Sequence, residues 1–151
     1  MADAADNADT KLTMKHIFNA PREKVFDAWL DAKQIPKWMG PHGVSATADK
    51  LEAKVGGKYR VVMVTPQGTP AVGGIYKEIS RPDRLVFTWA WEAAHNDPPG
   101  HETLVTLTFR DVGGKTEMIL LHERFATKEA RDSHSHGWTG SIEKLATHLA
   151  G

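Results

Sequence analysis

The sequence contains no cysteine. Disulfides, thiolate nucleophiles, cysteine zinc sites and iron–sulfur clusters are therefore excluded. It also has no excess of charge: Lys plus Arg is 19 and Asp plus Glu is 19, a formal net charge of zero. That argues against nucleic-acid binding through bulk positive charge and against a polybasic membrane anchor. No apolar run approaches the ~20 residues of a membrane-spanning helix. Met1 to Asp9 is small and polar, with neither the basic nor the apolar region of a secretory signal, so a cytoplasmic protein is expected. Gly56-Gly57 and Gly113-Gly114 read as turns, because neither carries the phosphate-loop pattern.

What remains is ordinary globular composition: 151 residues, 40% hydrophobic and 25% charged. That length suits a single domain with a core of its own. Residues 1–10 are expected as a frayed tail and 11–151 as the domain. Lys11 to Asn19 alternates, with Leu12, Met14, His16 and Phe18 on one side, and reads as a strand. Ala20-Pro21 opens a helix that buries Val25, Phe26, Trp29 and Leu30 and is expected to stop near Ala32. A short second helix carries Ile35 and Trp38, with Trp38 plugging one end of the core.

From Gly43 onward turn signals separate six candidate strands: Val44–Leu51, Lys58–Val64, Val72–Glu78, Arg84–Trp91, Glu102–Arg110 and Thr116–Glu123. Most connections are short, which predicts sequential antiparallel pairing. Arg60, Lys77, Glu78, Thr106 and Thr108 are assigned to the wet outer face. A long helix follows from about Thr127, its N-cap, to Ala150, with Trp138, Ile142, Leu145 and Leu149 forming one stripe. One long amphipathic helix is the natural cover for an antiparallel sheet with one apolar face.

Several sequence blocks carry a family resemblance. They are Phe18-Asn19-Ala20-Pro21 with Val25-Phe26 and Trp29, Ile35-Pro36-Lys37-Trp38-Met39-Gly40-Pro41, and Val55-Gly56-Gly57-Lys58-Tyr59-Arg60. Gly74-Ile75-Tyr76-Lys77-Glu78-Ile79, Arg84-Leu85-Val86-Phe87-Thr88-Trp89, His134, Gly137-Trp138 and Leu145 continue them. In that order they resemble the START/Bet-v-like (SRPBCC) superfamily. More narrowly, they resemble bacterial proteins related to the C-terminal domain of the activator of heat-shock-protein-90 ATPase. The resemblance implies an α+β helix-grip fold, a curved antiparallel sheet wrapped around a long C-terminal helix, with a cavity between them. It implies little about chemistry, since the superfamily includes carriers, receptors, cyclases and co-chaperone domains.

Strand and helix phase select the candidate cavity residues. The inner sheet face should carry Tyr59 and Met63, then Phe87, Trp89 and Trp91, then Val105 and Leu107, then Met118, Leu120 and His122. Trp29, His134 and Trp138 should face them from the helices. Each also has a plainer reading as core, with His122 a core histidine bonded to a carbonyl or water. His136, two residues beyond His134, is turned about 200° away on a helix and is assigned to the outer face. His134 and His136 therefore cannot close on one metal, and no metal or cofactor is expected. His101 is either polar cavity lining or solvent-exposed, and Ser133, Ser135 and Ser141 read as helix surface. The loop Ala93 to Gly100 is either a rim over the cavity or a plain hairpin loop. No inward carboxylate and no arrangement of nucleophile, base and orienting group is legible, so no catalytic residue is assigned.

The expected function is a non-enzymatic binder or carrier of a small apolar or aromatic molecule, as a monomer or weak homodimer. A chaperone-associated stress-response protein is the second reading, by family analogy alone. A cyclase- or hydrolase-type enzyme using His122 or His134 is the third.

Overall fold

The computed structural model describes residues 8–92 and 100–150. The elements are β1 (Lys11–Phe18), α1 (Arg22–Ala28), α2 (Ile35–Trp38), β2 (Ser45–Leu51) and β3 (Lys58–Val64). They continue with β4 (Ala71–Ser80), β5 (Arg84–Trp91), β6 (Thr103–Val112), β7 (Lys115–Glu123) and α3 (Lys128–Ala150). Ala8–Thr10 form a single 3-10 turn inside the stretch read as a frayed tail. Of the loop Ala93–Gly100, only Gly100 is among the described residues.

The strands form one antiparallel sheet in the order β1-β7-β6-β5-β4-β3-β2. Strands β2 to β7 are thus a sequential meander. β1 joins beside β7, with Lys11 opposite Glu123 and Phe18 opposite Thr116. The sheet curves without closing, and α3 lies across its concave side: this is the helix-grip fold. The alternating pattern does what the pleat requires. β6 buries Thr103, Val105, Leu107 and Phe109, and β7 buries Thr116, Met118, Leu120 and His122. On the outer face, Arg60 bonds the Glu92 carboxylate through Nε at 2.6 Å and also pairs with Asp49.

Curvature has a local cause in β4. A Cβ on Gly74 would fall 2.0 Å from the Thr88 carbonyl oxygen, and one on Gly73 would fall 2.7 Å from that of Tyr59. Only glycine lets the backbones come this close. A bulge between Tyr76 and Glu78 adds further twist to the same strand.

α1 ends at Ala28, earlier than the expected Ala32. The Asp31 carboxylate accepts hydrogen bonds from the Lys33 amide at 2.9 Å and from Gln34 Nε2 at 3.1 Å. That local bonding favours a turn over another helical turn. Trp38 is fully buried and donates to the Ala28 carbonyl at 3.2 Å, which fixes α2 against α1. Thr127 caps α3, its Oγ1 accepting from the Ala130 amide at 3.0 Å. The α3 stripe buries Trp138, Ile142, Leu145 and Leu149 as the spacing predicts, together with His134 and Ser141.

Candidate functional site

A cavity of about 180 Å³ opens between the first half of α3, the end of β5 and the loop from Met39 to Val44. Met39, Met63, Trp89, Trp91 and Trp138 supply its apolar surface, with Val44, Pro41 and Pro70 at the loops. Its polar lining is Thr65, Ser133, His134, His136 and Ser141, with no Asp, Glu, Lys or Arg among the described residues. A second void of about 20 Å³ lies deeper, lined by Trp29, Tyr59, Tyr76, Phe87, Trp89 and their aliphatic neighbours. Met39 and Trp89 border both spaces.

The structure therefore divides the candidate residues into three groups. Met63, Trp89, Trp91, His134 and Trp138 surround the cavity of about 180 Å³. Trp29, Tyr59 and Phe87 border the smaller one. Val105, Leu107, Met118, Leu120 and His122 border neither space and are fully buried in the packed core. On that side of the sheet helix side chains meet the inner face directly: Trp138 of α3 bonds His122 of β7, and the Phe26 ring of α1 lies 5.4 Å from that of Phe109 in β6. His101 lines neither space either; its Nε2 donates to the Arg124 carbonyl at 2.8 Å.

Two sequence assignments change. His136 is exposed, as its phase requires, yet it also lines the cavity. Ser141 is buried, not surface: its Oγ accepts the Gly40 amide at 3.0 Å and it lines the cavity. Its position three residues after Trp138 places it on the inward stripe, a signal present in the sequence.

Ser141 is one of several ties that hold the Met39–Val44 loop onto α3. Lys144 Nζ donates to the carbonyls of Val44, Pro41 and Met39 at 3.0, 3.3 and 3.4 Å. His42 Nε2 lies 2.8 Å from Glu143 Oε1. Burial lowers the Lys144 pKa from its ordinary value, but three carbonyl acceptors suit the ammonium form. The loop also lies against Gly140, where a Cβ would sit 3.0 Å from the His42 amide nitrogen and 3.1 Å from the Pro41 Cα. At Gly137, one turn earlier, a Cβ would meet only Pro41 Cγ at 3.8 Å. Opposite effects are expected. Gly137→Ala should stabilise by about 0.5–1 kcal/mol through helix propensity, whereas Gly140→Ala should destabilise by displacing the loop. Urea midpoints of the two variants check this.

The buried histidines are each locked to a tryptophan. Trp138 Nε1 donates to His122 Nδ1 at 3.0 Å. That leaves the His122 proton on Nε2, which meets Thr103 Oγ1 at 2.7 Å. Thr103 passes its own proton to the Trp89 carbonyl at 2.7 Å. Trp91 Nε1 likewise donates to His134 Nε2 at 2.9 Å, and His134 Nδ1 donates to the Ala130 carbonyl at 2.7 Å. The two imidazole rings are 5.2 Å apart. Burial first, and the neighbouring His134 second, push the His122 pKa well below its ordinary value, so the ring is neutral. Both nitrogens of each ring are engaged with the protein, which leaves neither placed as a general base. Among the described residues no group of three His, Asp or Glu side chains could hold a metal ion.

Residues 19–150 match the family model of the Activator of Hsp90 ATPase homolog 1-like proteins. An AHSA1 protein from Silicibacter pomeroyi is 31% identical, with 93% of this chain and 97% of that chain covered at a TM-score of 0.79. A protein from Rhodobacter sphaeroides is 28% identical, covering 95% of each chain at 0.79. One from Chromobacterium violaceum, at 23% identity, shares the fold with a TM-score of 0.87 over 94% of this chain and 98% of that chain. No curated protein matches the sequence. With nearly the whole domain matched and the same helix-grip architecture in each of these structures, the chain belongs to the Activator of Hsp90 ATPase homolog 1-like family.

Proposed function

We propose that this protein binds or carries a small apolar or aromatic molecule in the cavity beneath the Met39–Val44 loop. The observation that carries this reading is the cavity lining: three tryptophans and two methionines, a few polar groups and, among the described residues, no carboxylate, ammonium or guanidinium. Concave, mostly apolar sites with a few orienting polar groups are the usual form of small-molecule sites. Methionine adapts to the shape of what it touches, and tryptophan offers a large apolar face. An apolar cavity of about 150 Å³ is enough to accept a benzene ring. At about 180 Å³, this one suits a compact molecule of one ring with a short substituent, or two fused rings. The engaged state of His122 and His134 supports binding over catalysis.

The test is a tryptophan-fluorescence titration with one- and two-ring aromatics. Binding should change the emission, because Trp89, Trp91 and Trp138 all touch the cavity. Gly137→Leu is the decisive variant. Gly137 borders the cavity, and a Cβ there meets no close neighbour, so a leucine side chain fills the space while the helix keeps its backbone. The variant should stay folded and lose the titration. Failure of every such ligand to bind below about millimolar, or equal binding by Gly137→Leu, would remove the reading.

A further inference from the structure

We propose that the indole N–H groups of Trp29 and Trp89 form a donor pocket beside the main cavity, so that the ligand is an uncharged ring compound bearing a carbonyl-type oxygen. This rests on the binding function proposed above and specifies its ligand class.

The starting point is where the five indole N–H groups go. Three have protein acceptors: Trp38 bonds the Ala28 carbonyl, Trp91 bonds His134 and Trp138 bonds His122. The other two belong to Trp29 and Trp89. Both residues are only 4% exposed, and both Nε1 atoms are buried without a hydrogen-bond partner among the described residues. Buried donors without acceptors are rare in native proteins, and each asks for a reason. Here the same two residues both line the deeper void. At about 20 Å³ that void has room for one oxygen-sized group. Trp89 and Met39 border it and the main cavity alike, so the two spaces adjoin, and a substituent on a ring in the main cavity is directed towards the smaller one.

Chemistry narrows the substituent. A carbonyl oxygen has two lone pairs and can accept from both indoles, whereas a hydrocarbon leaves both donors unpaired. A carboxylate would accept too, but among the described residues no Lys or Arg lines either space, and an anion buried without a counter-charge is costly. The two tyrosines that line the void are held neutral by burial, and Tyr59 directs its proton to the Thr88 carbonyl at 2.5 Å. They bring no positive charge.

The experiment compares ethylbenzene, acetophenone and benzoate on the full chain, by calorimetric titration and by nitrogen–proton spectra of the indole groups. Partition into hydrocarbon favours ethylbenzene, so without donors in the site acetophenone should bind more weakly. The expected result is acetophenone binding at least as tightly as ethylbenzene. It should move the Trp29 and Trp89 indole protons downfield, ethylbenzene should not, and benzoate should not bind at pH 7.5. In Trp29→Phe and in Trp89→Phe, the ratio of acetophenone to ethylbenzene affinity should fall about three- to tenfold. Ethylbenzene binding while acetophenone is excluded, or acetophenone binding without moving those two resonances, overturns the donor pocket and leaves the binding function standing. Benzoate binding as well as acetophenone overturns the uncharged class. Binding by none of the three removes this inference together with the reading beneath it. The spectra of the unaltered protein decide the matter even if a tryptophan variant fails to fold.

Discussion

Trp138→Ala is expected to destabilise the protein by about 3–5 kcal/mol, the range for removing a buried tryptophan or phenylalanine. The side chain is 3% exposed and packs between α3 and the sheet. Its ring lies 5.0 Å from that of Trp89 and 5.7 Å from that of Trp29. Its N–H is the donor to His122 Nδ1. The alanine variant loses the ring contacts and leaves a cavity that joins the space Trp138 already borders. It also removes the donor from a buried imidazole nitrogen. Trp138→Phe separates these effects. It keeps most of the apolar contact and loses only the N–H, so its cost should be about 1–3 kcal/mol. Urea unfolding of the three proteins checks both figures. An alanine variant costing under about 1 kcal/mol would show that the α3 stripe does not hold the sheet.

The α3 stripe was legible in the sequence because it depends on period alone. Trp138, Ile142, Leu145 and Leu149 recur at steps that only a helix can place on one face, and all four are buried. The same holds for β6 and β7, where strict alternation sorts inner from outer residues. The cavity was not legible in this way. Phase says that Val105, Leu107, Met118 and Leu120 point inward, and they do, but it cannot say whether an inward side chain meets another side chain or open space. That is decided by where the Met39–Val44 loop docks. Its docking uses Ser141, Glu143, Lys144 and the bare backbone at Gly140, residues with no shared pattern. The early end of α1 escaped for a similar reason. Leu30 continues the apolar spacing, but one Asp31 side chain bonds the following turn and stops the helix. The two unpaired indoles are a fact of distance, which no sequence pattern records.

A loss of stability below about pH 6.5 is the second large effect expected, and His122 is its main source. In the native state Nδ1 accepts from Trp138, and the Nε2 proton goes to Thr103. A proton added at Nδ1 would set one donor against another, in a fully buried position with the His134 ring 5.2 Å away. The native pKa is therefore depressed well below the value near 6.5 that the unfolded chain regains. Below that pH the unfolded state binds a proton that the native state refuses. Stability then falls as pH drops through 6.5, by up to ~1.4 kcal/mol per pH unit for one proton, and continues to fall until the native pKa is reached. Above about pH 7.5 both states are neutral at this residue, and the contribution is flat. His16 acts in the same direction, because burial lowers its pKa while Glu143 opposes the shift, so the wild-type slope is not due to His122 alone. His122→Gln isolates it: the amide can still accept from Trp138 and donate to Thr103, but cannot titrate. Urea unfolding at pH 7.5, 6.5, 5.5 and 4.5 should give a steeper decline for wild type than for the variant, the difference approaching one proton. Parallel curves would mean that His122 charges in place, and that the Trp138–His122–Thr103 chain yields to protonation without unfolding.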